Sequence, residues 1–541
     1  MSEYEKYRPY WPETVIFWGA GTTEPLKMRL TNELGQTFQI LAEAQSSVNE
    51  EPGVSSLDRA IQKAVPKASR QVQKELKVFL QLVDSDDKDG ESDAERTLRI
   101  SEKRAEHLRR LYDWRAVRKV IERCPRNHDR NFSLKDLYNL LDMHIRSRNG
   151  IEVEQQFITL DRLIAARRTV DMLTQLFHVI GFRELIKNEL SVRVYEQYYG
   201  FARVLARLML EEGADRAAEQ GHGYDDRRFY LFSYAVISMN WDPLLLWLIF
   251  NAQKELNDTA EDQEKAGDQS RPIHLFTDLA HFMAIRQVDG RTPAAWFPMN
   301  ETAVRQLNDP GNRAGRRVRI GKFYFPHGCH GFRECPKCGK LTFSLGDKWD
   351  IYSESLFPPQ ILPSLSPRKP RSFEEKKAID EGIYDAVQCT HCGTITEAHH
   401  TPISMQTQFK DEQPSFIKEI QSDMKVAIEK ARHIIFAGYS LPEDDFIYRS
   451  LLAARRKMDG DKVKCSVIGF DRQAEEGWMY GTELRDYCKM HSQSSLAGTC
   501  SRVADLFGEE NVRGYGAGFP NVFLENGKAD KEKVKEMLKV W

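Results

Sequence analysis

The chain has no long apolar run. Its most hydrophobic stretch, Pro243 to Phe250, is far too short to span a bilayer. It has no excess of either charge: Lys+Arg number 78 against Asp+Glu 80, a formal net charge of -2. Such a balance gives no direct nucleic-acid signal. No apolar leader follows Met1-Ser2-Glu3-Tyr4-Glu5-Lys6, so a cytoplasmic rather than a secreted protein is expected. No solenoid-period repeat is apparent. What is present is 541 residues with 41% hydrophobic and 10% aromatic content, enough for two or three domain-sized units with full cores.

An α/β pattern frames the chain. Residues 14–18 are a short apolar run ending in Gly-Ala-Gly, which reads as a buried parallel strand, a tight turn and a helix through Leu26, Leu30, Leu34 and Phe38. Residues 51–225 read differently. Leu108, Leu111, Trp114, Val117 and Ile121 recur at helical spacing, and Ser133 with Asp136 looks like a helix start. This block is expected to be a helical insertion whose charged faces are solvated. Strands are predicted at 232–238, 322–326, 433–437 and 464–469. Asn257 to Arg271 reads as a polar loop, and residues 526–541 as a helical tail. The acidic stretch from Asp84 to Glu95 fails as a calcium loop, because Arg96 stands where a bidentate Glu is required.

The strongest local signal is a pair of C-x-x-C-G knuckles, Cys335/Cys338 and Cys389/Cys392, out of nine cysteines. Four thiolates with no open position suit structural zinc; a redox pair is the rival. His391, inside the second knuckle, is not needed as a ligand. The zinc module is expected over 329–400.

Other motifs are weaker singly. Gly19-Ala20-Gly21-Thr22-Thr23 ends a strand and offers a phosphate turn, or simply a strand–helix connection. A full G-x-G-x-x-G is absent, since Glu24 replaces the third glycine. Asn240 and Asp242 follow one strand and precede a helix, where they either meet a ribose or cap the helix. His327 ends another strand and suits proton transfer near neutral pH. Gly438-Tyr439-Ser440-Leu441 is a second glycine turn after a strand, and Asp471 closes a further strand where an acid can reach a ribose.

In this order the pieces resemble the sirtuin (silent-information-regulator) superfamily over about 15–45 and 230–510. The resemblance implies a Rossmann-like parallel sheet formed by 1–50 and 226–525, with a small four-cysteine zinc module and the large α-helical insertion. It implies NAD across the strand ends. Asn240, Asp242 and His327 would be catalytic. Gly19, Ala20, Gly21, Thr22 and Thr23 would line the pyrophosphate, with Gly438, Ser440 and Asp471 on the adenosine side. Gly498, Val503 and Leu506 look like the family's closing helix.

The chain departs from the protein deacylases of that family. Their Gly-Ile-Pro-Asp-Phe-Arg loop is replaced by Leu26-Lys27-Met28-Arg29-Leu30. Met239 stands where they have Gln. The peptide-clamping Phe-Gly-Glu is not found after the zinc module, where Thr401-Pro402-Ile403-Ser404 runs on to Lys410. The chain looks instead like the bacterial sirtuin-like branch of NAD-consuming antiviral effectors. The expectation is an NAD+ glycohydrolase releasing nicotinamide and ADP-ribose. An NAD-dependent deacylase and a non-enzymatic NAD or ADP-ribose sensor are the alternatives. Homo-oligomer contacts through the insertion and a defence partner protein are also expected.

Overall fold

The computed structural model describes residues 12–26, 31–44, 55–66, 68–84, 100–127, 132–185, 189–219, 232–265, 273–279, 283–287, 294–296, 317–330, 332–345, 361–370, 372–389, 392–397, 399–400, 415–443, 445–459 and 463–541. The expected acidic loop, His391 and the Thr401–Lys410 segment lie outside these residues, apart from Asp84.

The frame is an eight-stranded sheet. Its strands are β1 (Thr14–Trp18), β2 (Phe232–Ser238), β3 (Ile273–Asp278), β4 (Arg317–Tyr324), β5 (His433–Ala437), β6 (Lys464–Ile468), β7 (Trp478–Tyr480) and β8 (Val512–Tyr515), in the spatial order β7-β8-β6-β5-β1-β2-β4-β3. All neighbours are parallel except β7 and β8. Every residue of β1 and β5 is buried, as expected of strands covered on both faces. The chain leaves β1 on one side to form β2, β3 and β4, then crosses to the other side for β5. The strand order therefore reverses between β1 and β5, the place where open parallel sheets leave a crevice at their carboxyl ends.

Helices cover this sheet. They include α8 (Glu189–Glu219), α9 (Leu244–Lys265), α10 (Ser415–Lys430), α11 (Phe446–Asp459), α12 (Gly481–Met490), α13 (Ser495–Phe507) and α14 (Lys531–Leu538). The earlier helices form a second core: α1 (Thr31–Ala44), α2 (Ser56–Ala64), α3 (Arg70–Leu82), α4 (Glu102–Leu111), α5 (Trp114–Arg123), α6 (Leu134–Arg146) and α7 (Leu160–Leu185).

Several elements differ from the sequence reading. No α-helix follows Gly-Ala-Gly directly. Two short 3-10 turns, Ala20–Thr22 and Glu24–Leu26, come first, and Pro25 supplies no N–H to continue a helix from the turn. Helix α1 starts at Thr31, and its Leu34 and Phe38 belong to the helical unit's core, not to the sheet's. Conversely α8 lies within the segment read as insertion, yet its Tyr195, Tyr198 and Phe201 are buried in the sheet's core. The polar stretch from Asn257 is helix as far as Lys265. Asp258 and Thr259 are exposed on it, and the Asn257 amide docks on both backbone groups of Leu275 at 2.8 and 2.9 Å.

Candidate functional site

Because β1, β2, β4, β5 and β6 run parallel, their following loops emerge at one edge of the sheet. Those loops carry Gly19–Thr23, Asn240 and Asp242, His327, Gly438 and Ser440, and Asp471. The two glycine turns are built against each other. The Gly19 amide donates to Ala437 O (2.9 Å), the Gly21 amide to Gly438 O (3.0 Å) and the Gly438 amide to Ile468 O (2.8 Å). A Cβ on Gly19 would fall 2.5 Å from Gly438 O, and one on Gly438 only 2.3 Å from the Thr22 nitrogen. Gly438 also has φ +56. The glycines are thus required by backbone approach.

That packing also limits what the first turn can bind. The amides of Thr22 and Thr23 donate to Gly19 O and Ala20 O, and their hydroxyls donate to the same two carbonyls, at 2.6 and 3.2 Å. The expected cradle of amides and threonine hydroxyls is therefore largely engaged within the turn itself. Only Ala20 and Gly21 of the five are exposed.

Asn240, Asp242 and His327 are buried, at 7%, 6% and 3% exposure. The Asn240 side-chain amide lies 3.4 Å from the Thr23 hydroxyl, so the β1 and β2 loops do meet. Asp242 accepts from the Leu244 amide at 3.2 Å and caps α9, the rival reading from sequence. Burial pushes its carboxyl up to about 6 against that hydrogen bond. The His327 ring faces Tyr448 of α11, 5.4 Å between centroids.

A cavity of about 460 Å³ opens beside the switch in strand order. Gly21, Gly438, Ser440 and Gly469 form its floor, and Phe470, 62% exposed, is part of its wall. Ser495, Leu496 and Thr499 bring in the first turn of α13, which has no side-chain cap and no acid. The Ser440 carbonyl is held by the Arg502 guanidinium at 2.8 and 3.1 Å. Gly518 to Asn521, after β8, close the far side. The structure thus brings Gly21, Gly438 and Ser440 together in one cavity, but Asn240, Asp242 and His327 do not line it. Asp471 does not line it either. Hydrogen bonds from Ser494 and Tyr487 hold its carboxyl below the usual range, and its Oδ1 accepts from the Gln473 amide. Sequence reasoning missed Phe470 and Gly518–Asn521. The Gly514-Tyr515-Gly516-Ala517-Gly518 run after an apolar strand was the available signal.

The four cysteines come together as the sequence predicts. Cys335 and Cys392 are 3.8 Å apart, Cys338 and Cys389 3.7 Å, and all four sulfurs lie within 4.8 Å of one another. A zinc ion with Zn–S bonds of about 2.3 Å holds tetrahedral sulfurs about 3.8 Å apart, so the set fits such an ion. The two knuckles are built alike. Cys335 N donates to Lys340 O and Gly339 N to Cys335 O; Cys389 N donates to Thr394 O and Gly393 N to Cys389 O. Both glycines have positive φ, +64 and +70. The four-sulfur set leaves no ligand position for catalysis.

The helical unit is fastened to this module and to the site edge. Arg104 of α4 is fully buried. It donates to Asp385 (2.8 Å), Glu397 (3.3 Å), Ser364 O and Gly382 O, both at 3.0 Å. His107 lies 2.5 Å from Glu397. These charges were expected to face solvent; they instead join two parts of the molecule. The proline-rich segment adds Ile361, Leu362 and Leu365 to the helical core. Trp241, between Asn240 and Asp242, packs on that same core beside His178 of α7, and His330 donates its amide to Trp241 O. No protein-family model and no curated protein matches this chain.

Proposed function

We propose that the chain is a sirtuin-like NAD+ glycohydrolase built on a Rossmann-like sheet, with zinc in a structural role. The observation that supports this best is the convergence at one sheet edge. The cavity formed by the β5 and β6 loops adjoins the β1 turn, and that turn touches Asn240 through Thr23. The adenosine half of NAD would occupy the cavity, its base against Phe470 and its phosphates near the first turn of α13. The nicotinamide ribose would lie towards Asn240. The glycosidic bond then breaks through an oxocarbenium-like state, with the bonding pair leaving on nicotinamide. Asn240 orients the ribose and the incoming water. Asp242, ionised above about pH 6, stabilises the positive charge. His327 takes the proton released as water adds to the ribose carbon, giving ADP-ribose.

Incubation of the purified protein with NAD, followed by chromatography, tests this. Free ADP-ribose and nicotinamide support hydrolysis. A product carrying the acyl group of an added acyl-lysine peptide supports the deacylase instead. Full turnover retained by Asn240→Ala would refute the catalytic assignment.

One observation favours a second reading, an NAD or ADP-ribose sensor: the three candidate catalytic side chains are buried and none of them lines the cavity. That reading predicts binding without turnover, and binding unchanged in His327→Ala. Under either reading the helical unit is the proposed trigger surface for an oligomer or a defence partner, because Trp241 ties it to the Asn240 loop.

A further inference from the structure

One buried carboxylate, Asp445, stands between the cavity and His327. Its side chain is 0% exposed. The turn after β5 folds back on itself, with Gly438 at φ +56 and the buried Leu441 at φ +47. This brings Tyr439 to Asp445, six residues later, and the Tyr439 phenol donates to the carboxylate. Tyr439 is also cavity wall. It lines the space together with Gly21 and Ser440, and its ring is stacked on Phe17 of β1, 5.7 Å between centroids and 10° between planes. On its other side Asp445 leads directly into α11. Its amide donates to Pro442 O (3.1 Å), and its carbonyl accepts from the Arg449 amide (3.2 Å). Tyr448, one helical turn on, is buried and presents its ring to His327 at 5.4 Å. The carboxylate is felt by both phenols: after burial, the larger cause, its charge pushes Tyr439 and Tyr448 well up, which keeps both hydroxyls protonated.

We propose that Asp445 is a positioning residue that holds the cavity wall at Tyr439 and the support of His327 at Tyr448 in one fixed relation. The role rests on the glycohydrolase reading, in which the cavity takes the adenosine half of NAD and His327 takes the proton. His327 does not line the cavity, so its distance from a ligand seated there is set by whatever joins the two. A hydrogen bond from a phenol to a buried carboxylate is charge-assisted and strong. Placed at the start of α11, it fixes the helix against the cavity wall, and the helix in turn fixes where the Tyr448 ring rests against His327. A displaced base loses rate while the ligand still binds, so the link acts on kcat before it acts on KM.

The test uses the full-length protein with its histidines carbon-labelled at Cε1 for magnetic resonance. The His327 signal is the one absent from His327→Ala. Tyr439→Phe removes the phenol oxygen and keeps the ring on Phe17. It should shift the His327 signal with no ligand present, lower kcat for nicotinamide release by about tenfold, and leave KM for NAD within about twofold. Asp445→Asn keeps an oxygen that accepts from Tyr439, and should retain kcat within about threefold with the His327 signal near its original place. Asp445→Ala should behave like Tyr439→Phe. Circular dichroism and the melting midpoint check the fold of each variant. An unmoved His327 signal in folded Tyr439→Phe protein would overturn the proposal. So would a raised KM with kcat unchanged, or an Asp445→Asn protein as impaired as Asp445→Ala. A wild-type protein that releases no nicotinamide would end the glycohydrolase reading, while the ligand-free His327 signal still decides whether Asp445 positions that ring.

Discussion

Arg104 is the place where the joint between the helical unit and the four-cysteine module is most open to measurement. Its side chain is 0% exposed, and its partners Asp385 and Glu397 are 21% and 13% exposed. Replacing it with Met keeps much of the volume and removes the charge. Two carboxylates are then left with no cation but His107 beside Glu397, and with only the Ser364 amide and hydroxyl donating to Asp385. Breaking a buried ion pair from one side costs about 3–5 kcal/mol, and the partial exposure of both acids places this case at about 3 kcal/mol. Asp385 already has its carboxyl pushed up by burial against the pull of Arg104, so the loss of Arg104 raises it further. Glu397, held below the usual range by His107 and Arg104 against its burial, loses one of those two supports.

Two readouts separate the local effect from a general one. Urea unfolding should show a lower midpoint for Arg104→Met. Zinc release to a chromogenic chelator should be faster, because Glu397 lies on the strand next to the Cys389/Cys392 knuckle. Adding Asp385→Asn and Glu397→Gln should recover a good part of both, since the uncompensated charges are then gone. An Arg104→Met protein with an unchanged midpoint and unchanged zinc release would refute the argument. So would a triple variant that is less stable than the single one.

Three further outcomes are expected. His433, at the start of β5, is pushed down to about 4, mainly by burial and further by Arg513, although its bond to Leu538 O opposes this. The unfolded chain therefore takes up a proton below about pH 6.5 that the folded one refuses until about pH 4. Stability present above pH 6.5 is lost as pH falls through that window, by about 3 kcal/mol in all, and His433→Gln should flatten this part of a denaturation-versus-pH curve. Gly438→Ala should lower the thermal midpoint, since positive φ and a 2.3 Å approach to backbone together cost about 2–4 kcal/mol; a change below about 1 kcal/mol would sink the interlocked-turn account. Cys389→Ser should reduce metal content from about one zinc per chain to well below half by atomic emission, and full retention would mean the four sulfurs are not the ligand set.

The parts of this molecule that were legible in sequence are those where a local rule suffices. The four strand predictions fall on β2, β4, β5 and β6 because short runs of β-branched and aromatic residues have one use in a buried sheet. The cysteine cluster was legible because each knuckle closes its own turn, whatever surrounds it. What escaped were decisions made across long separations. Arg104 reads as one more charge on an amphipathic helix until residues 281 and 293 positions later are brought to it. Tyr198 of α8 reads as part of the insertion until its hydroxyl is found on Thr22 O. Asn257 to Lys265 reads as loop because polarity alone cannot tell a solvated helix face from a turn.

The glycine turn after β1 shows how one local pattern serves two kinds of packing. Strand, glycines and hydroxyls in that order suggested a phosphate cradle, and the strand and the turn are both there. Yet a glycine serves backbone-to-backbone packing as readily as backbone-to-phosphate packing, and here Gly438 and Tyr439 fill the space at Gly19, while Gly21 and Thr22 fill that at Gly438. Under the proposed function, an anion at this edge would draw on donors from a further element as well. The first turn of α13 qualifies on three counts: its helix is 13 residues long, it lacks a side-chain cap, and it lines the cavity. Under the proposed function, Ser495–Leu496 would share the phosphate-binding role with the exposed Ala20 and Gly21 of the β1 turn. The β1 turn links the Asn240 loop, through Thr23, to the cavity that Gly21 lines.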